Sequence, residues 1–159
     1  MLNSSVQKFW SRRLLEDALG WLRGQGYRII ELPAAEWRSE ADVHLALEQH
    51  LSFPSYYGHN LDALEECMSD FALYEFGSDP QATGTVLVMT HYDAFVRLQP
   101  ETAFVVLDII ASASRRAMLI GHRLLCIVQT DDPRLEMEPV GSEPVMWNHR
   151  EFLDTSRGL

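Results

Sequence analysis

One short stretch of the chain holds the groups best placed for chemistry: Tyr56, Tyr57, Gly58, His59, Asn60, Asp62, Glu65, Glu66, Ser69 and Asp70. Asn60 is a good helix N-cap, and a helix opening there is expected to run to about Phe71. On such a helix Asp62, Glu66 and Asp70 stand at i, i+4 and i+8, so like charges stack along one face. Each such pair destabilises an isolated helix by about 0.2–0.5 kcal/mol. Asp62 recovers part of this from the positive helix N-terminus, whereas Asp70, near the other end, does not. From Ser39 to Val96 the chain has ten Asp and Glu and not one Lys or Arg across 58 residues. A face built this way suits a basic partner that brings the missing charge. A merely solvated acidic surface is the alternative. Of the adjacent tyrosines, one is expected in the core and one at the surface, where tyrosine is favoured in binding hot spots. Gly58 is expected to allow a positive-φ turn leading into the Asn60 cap.

Catalytic readings find less support. His44 and Glu48 are i, i+4 on one expected helix, but no third ligand at metal spacing is near them. The chain has no G-x-S-x-G, no P-loop and no G-x-G-x-x-G. Asp62 and Glu66 as an acid/base pair would need apolar burial to separate their pKa values, and an exposed helix face lacks it. The negative charge around Cys67 disfavours a thiolate. The expectation is therefore a binding protein with no catalytic residue, metal, cofactor or small-molecule substrate.

Composition sets the class. At 159 residues and 47% apolar, the chain is long enough for one globular domain with a substantial core. It contains no run of 18 apolar residues and no signal-peptide core, which points to a soluble, cytoplasmic protein. Cys67 and Cys126, far apart in apolar surroundings, read as free buried thiols. The net charge of −10 is unevenly spread: residues 1–30 sum to +3, 31–108 to −12 and 109–159 to −1. Phosphate would be repelled by such a middle, which excludes nucleic acid and anionic membrane as partners.

The elements that must position the acidic stretch are legible in outline. Val6, Phe9, Trp10, Leu14, Leu15, Ala18, Leu19 and Leu22 recur at near-helical spacing and predict a helix over Ser5–Arg23, stopped by Gly24 and Gly26. Tyr27–Leu32 reads as a strand. Ser39-Glu40-Ala41-Asp42 is a capping-box pattern opening a helix to about His50, with Val43, Leu45, Ala46, Leu47 and Leu51 available for burial. Thr85–Thr90 and Leu124–Val128 are continuous apolar runs of strand length. Between them a short helix over Asp93–Leu98 and a longer one from Pro100 to about Ile120 are expected, with Gly121 as the stop. Strands separated by helices of this length imply parallel pairing through crossovers, hence a small α/β layer fold. The tail from Asp131 reads as a docked extension.

Phe53-Pro-Ser-Tyr-Tyr-Gly-His-Asn-Leu-Asp-Ala-Leu-Glu-Glu-Cys67 resembles the signature segment of the barstar family, intracellular inhibitors of barnase-type ribonucleases. The similarity in pattern extends over about Tyr27–Gln129. It implies a two-layer α/β fold with a small three-stranded parallel sheet packed with helices, here as a single domain over 1–159. Residues 27–130 would be its core, 1–26 an N-terminal helical extension and 131–159 a C-terminal extension. It further implies that loop and acidic helix plug the active site of a basic microbial ribonuclease, one to one, with carboxylates where RNA phosphates would lie. An antitoxin or immunity role follows from it, and a module binding another basic protein is the alternative. By position Tyr56 and Asp62 match contact residues of the family. Glu66 stands in place of its dominant aspartate, while Glu65 and Ala72 replace tryptophans and His122 takes the place of a cysteine.

Overall fold

The computed structural model describes residues 4–159, so the first three residues of the expected 1–26 extension lie outside it. The chain runs β1 (Val6–Phe9), α1 (Arg12–Gly24), β2 (Tyr27–Pro33), α2 (Glu40–Leu51), α3 (Leu61–Ala72), β3 (Gly84–Thr90), α4 (Tyr92–Leu98), α5 (Pro100–Leu119), β4 (Leu124–Gln129) and β5 (Met146–Trp147). The strands form one sheet in the order β2-β3-β4-β1-β5, and every neighbouring pair is parallel. This is the expected α/β layer fold with helical crossovers. The sheet has five strands rather than three, because a segment from each end of the chain joins it.

The N-terminal segment is the main departure from expectation. Val6–Phe9 is a strand, and the helix expected from Ser5 starts only at Arg12. Val6, Phe9 and Trp10 happen to fit helical spacing, yet β4 offers an unpaired edge. Cys126 N–H donates to the Ser5 carbonyl at 2.8 Å and Thr130 N–H to the Phe9 carbonyl at 2.9 Å, which brackets the pairing. Ser11 then breaks the strand and caps α1, its hydroxyl accepting the Leu14 N–H. Elsewhere expectation and structure agree to within a few residues. The Ser39–Asp42 capping box is formed, and Pro100 opens α5 as its first residue. Leu45, expected inside, is exposed.

A parallel sheet has to be covered on both faces, and here the cover is uneven. Leu87, Met89, Cys126 and Val128 point to the face packed by α2, α3, α4 and α5. Val86, Val88 and Ile127 point to the other face, where only α1 packs through Leu15, Leu19 and Leu22. Cys67 and Cys126 are free and buried.

The tail fastens both ends. The fully buried Glu151 carboxylate accepts the Trp10 and Ser11 N–H groups at 2.8 and 2.6 Å and the Asn148 amide at 2.7 Å. Trp147 lies beneath two cations, Lys8 Nζ at 4.5 Å and the Arg157 guanidinium at 4.4 Å from its ring. Lys8, the only lysine of the chain, donates to the Leu135 carbonyl at 2.7 Å.

Burial, and after it the Arg157 charge, pull the Lys8 ammonium from 10.5 down to about 8, with Glu136 opposing. The unfolded chain keeps the ordinary value, so between pH 8 and 10.5 it holds more protons than the folded state. Stability from this group therefore rises with pH across that window. An NMR titration of the single lysine side chain is expected to show its midpoint near pH 8. Wild type should also gain unfolding free energy relative to Lys8→Met as pH rises through the window. A lysine midpoint at the ordinary value would place its amine in water.

Candidate functional site

Helix α3 owes its place to one apolar stripe. Leu64, Cys67, Met68, Phe71 and Ala72 are buried, and α5 is the element α3 lies against most extensively. Asn60 caps the helix, its side-chain oxygen accepting the Ala63 N–H at 2.8 Å. Burying the stripe leaves Asp62, Glu65 and Glu66 exposed and Asp70 partly exposed. Among the described residues none of these four carboxylates forms an ion pair. The nearest bonded cation on this side, Arg116 of α5, gives its guanidinium to the Ser69 hydroxyl at 2.7 Å instead. Ser69 is thereby buried at the helix–helix seam, away from the outward row.

The loop before α3 separates the two tyrosines. Tyr56 is 78% exposed, whereas Tyr57 is 6% exposed and packs edge-on against Phe53 at 4.9 Å. The Tyr57 hydroxyl bonds to Nδ1 of buried His44, whose Nε2 meets Glu40 Oε1 at 2.9 Å. A carboxylate only accepts, so Nε2 carries the proton, and Nδ1 accepts from the tyrosine. Burial first, then Cys67, Glu48 and Glu40, push the Tyr57 phenol well above its ordinary range. It stays a donor at every physiological pH. Next to it His59 stacks parallel to His44 and pairs with Glu48 at 2.9 Å. His44 and Glu48, the pair weighed as metal ligands, are thus engaged with different partners.

Gly58 does not supply the positive-φ residue. That conformation falls on His59, at φ 53°, while the Gly58 backbone lies in the ordinary region. The ring contacts of His59 with Tyr57 and His44 hold it there. A Cβ on Gly58 would meet Ala63 and Asn60 at 3.4 Å, ordinary contact distance.

Burial, then Asp70 and Glu66, raise the Cys67 thiol, which disfavours its thiolate. His44 and Glu40 escaped notice as loop supports because their role depends on Tyr57, thirteen residues further on. At the far end of α3, Tyr74 stacks on His122 with ring centres 3.7 Å apart. Tyr56 on the loop and Asp62, Glu65 and Glu66 on α3 are exposed, while Tyr57, His44 and Ser69 are buried.

A family model described as Barstar (barnase inhibitor) matches residues 27–129. The match runs from the start of β2 to the end of β4 and contains every one of these residues. It leaves β1, α1 and the tail outside.

The buried bond between Tyr57 and His44 can be tested directly. Tyr57→Phe keeps the ring but leaves His44 Nδ1 without a donor in a place water does not reach. The expected cost is about 1–3 kcal/mol in urea unfolding. Tyr56→Phe, at the exposed neighbour, should unfold like wild type. Equal stability of the two variants would mean that the loop is not held by this bond.

Proposed function

Because the chain belongs to the barstar family, we propose that it is a stoichiometric inhibitor of a basic, barnase-type ribonuclease, acting in the cytoplasm of a microbe that must be protected from that enzyme. The observation that carries this reading is the row of carboxylates along α3, unpaired among the described residues, beside exposed Tyr56. A ribonuclease cleft is lined with cations that hold RNA phosphates. Carboxylates mounted on a rigid helix meet those cations with the backbone already ordered, so only side-chain rotamers remain to be fixed. Inhibition of this kind is occlusion, with no bond made or broken and no cofactor. Asp62, Glu66 and Asp70 make the charged contacts, Tyr56 the apolar one, and Tyr57 with His44 keeps the loop in position. Glu65 and Ala72, standing where the family's barnase inhibitor has tryptophans, favour a target whose surface differs from that of barnase itself.

Glu66 stands mid-row, between Asp62 one turn earlier and Asp70 one turn later. Glu66→Ala removes a charged hydrogen-bonding group expected to contribute about 1.5–3 kcal/mol, so inhibition should weaken roughly 10- to 150-fold. Folding should move the other way, because two like-charge pairs are relieved and alanine is the better helix former. Titration of a barnase-type ribonuclease with wild type is expected to reach a sharp 1:1 end point. The association rate should fall as salt rises and the screening length shrinks from about 30 Å at 0.01 M to about 8 Å at 0.15 M. If Glu66→Ala and the control Asp79→Ala inhibit alike, the acidic helix is only a solvated face and the reading fails.

A further inference from the structure

The uneven cover of the sheet leaves a second candidate site, on the opposite face from α3 and independent of the function proposed above. Four inter-strand steps of about 4.8 Å make a five-stranded sheet about 19 Å across, and a helix with its side chains is about 10–12 Å wide. On its face α1 packs through Leu15, Leu19 and Leu22 against β2, β3, β4 and Phe9 of β1, and no residue of β5 joins that cluster. There a groove of about 370 Å³ runs between α1, β1 and residues 148–150. Its walls are the apolar Phe9, Leu14, Ala18, Trp21 and Leu22. Trp21 remains 60% exposed, an unusual amount for a tryptophan on an inward-packing helix.

The floor carries a polar anomaly. Gln7 of β1 is 3% exposed, and its Oε1 is buried with no hydrogen-bond partner among the described residues. Leaving such a group unpaired away from water is costly, and a leucine of similar size would avoid that cost. Gln7 also lines a second groove, of about 540 Å³, on the β5 side. Rotation about the last side-chain bond, a soft and roughly two-fold torsion, turns the oxygen toward either one.

We propose that the groove between α1 and β1 binds a planar aromatic small molecule of about two fused rings, carrying one N–H or O–H donor that pairs with the Gln7 amide. The volume lies in the range of small-molecule sites, which combine apolar walls with very few placed polar groups. A strand cannot add here, because β1 is interior to the sheet with β4 and β5 on its sides. The walls are tied together by Arg150 and Asp17, whose charged groups stand 3.7 Å apart.

The test is a matched pair of probes, indole and benzothiophene, the second replacing the N–H by sulfur in the same bicyclic shape. In ¹⁵N-resolved NMR titrations, indole is expected to shift the amides of residues 14–22 and 148–150 to saturation. Benzothiophene should bind the same segments roughly 3- to 10-fold more weakly, the worth of one hydrogen bond. Gln7→Leu, which removes the orphan amide and should fold at least as stably, is expected to erase the difference. Ala18→Trp should fill the groove and abolish both interactions. The proposal is overturned if indole leaves those segments unmoved, or if Gln7→Leu preserves the preference for indole. It is equally overturned if sedimentation shows a wild-type dimer that Ala18→Trp dissolves, since a second copy would then be the occupant.

Discussion

Strands β3 and β4 sit side by side within a parallel sheet, and nearly every residue of both is shielded from water. Apolar side chains alternate to the two faces, so neither face can be left wet without exposing a row of Val, Leu, Ile and Met. Four helices answer this on one side and one helix on the other. The placement of α3 follows directly. To close its face of the sheet, α3 lays Leu64, Met68 and Phe71 inward and lies along α5, and this fixes which of its residues look out. The acidic row faces solvent because the opposite stripe cannot.

Magnitudes explain why such a helix is tolerated. The like-charge pairs Asp62–Glu66 and Glu66–Asp70 cost about 0.2–0.5 kcal/mol each. Full burial of a Leu, Met or Phe side chain is worth about 1.5–3 kcal/mol, and α3 buries one of each. Packing therefore outweighs repulsion several-fold, and the helix carries unneutralised charge at little risk to the fold. Arg116 donates to the Ser69 hydroxyl and makes no ion pair with the row among the described residues. The charge stays available to whatever docks on the row.

What the sequence disclosed, and what it hid, divides along physical lines. Helix α3 was readable in full because its cap, its apolar stripe and its charges all lie within one stretch and agree. The Ser39–Asp42 box and the apolar runs of β3 and β4 are local in the same way. β1 was hidden because four residues cannot distinguish a strand from a helix turn by periodicity, and only the edge of β4, 120 residues later, decides the matter. The two-residue β5 has no local signal at all. Within the site, exposed Tyr56 agrees with its match to a family contact residue, whereas the bond that holds Tyr57 inside depends on His44 reaching across from α2. The positive φ fell on His59 rather than Gly58 for a related reason: ring contacts with Tyr57 and His44 offset the strain that a glycine would simply have avoided.

The residues outside the family match are bound to the same sheet. With 27–129 alone, β4 would be an edge strand, rich in Leu, Ile and Val and with unpaired backbone groups, the kind of edge that invites pairing with another chain. β1 covers that edge along Val6–Phe9, and the two-residue β5, backed by the tail, covers β1 in turn. The new margin is short and held by buried polar bonds: Glu151 on the turn after β1, Arg157 and Lys8 on either side of the Trp147 pairing. This margin lies at the opposite end of the strand order from β2 and packs away from α3. Val6, Val140 and Val145 nonetheless join the core cluster that α3 and α5 build, so the added margin is packed into the same interior as the family-matched part.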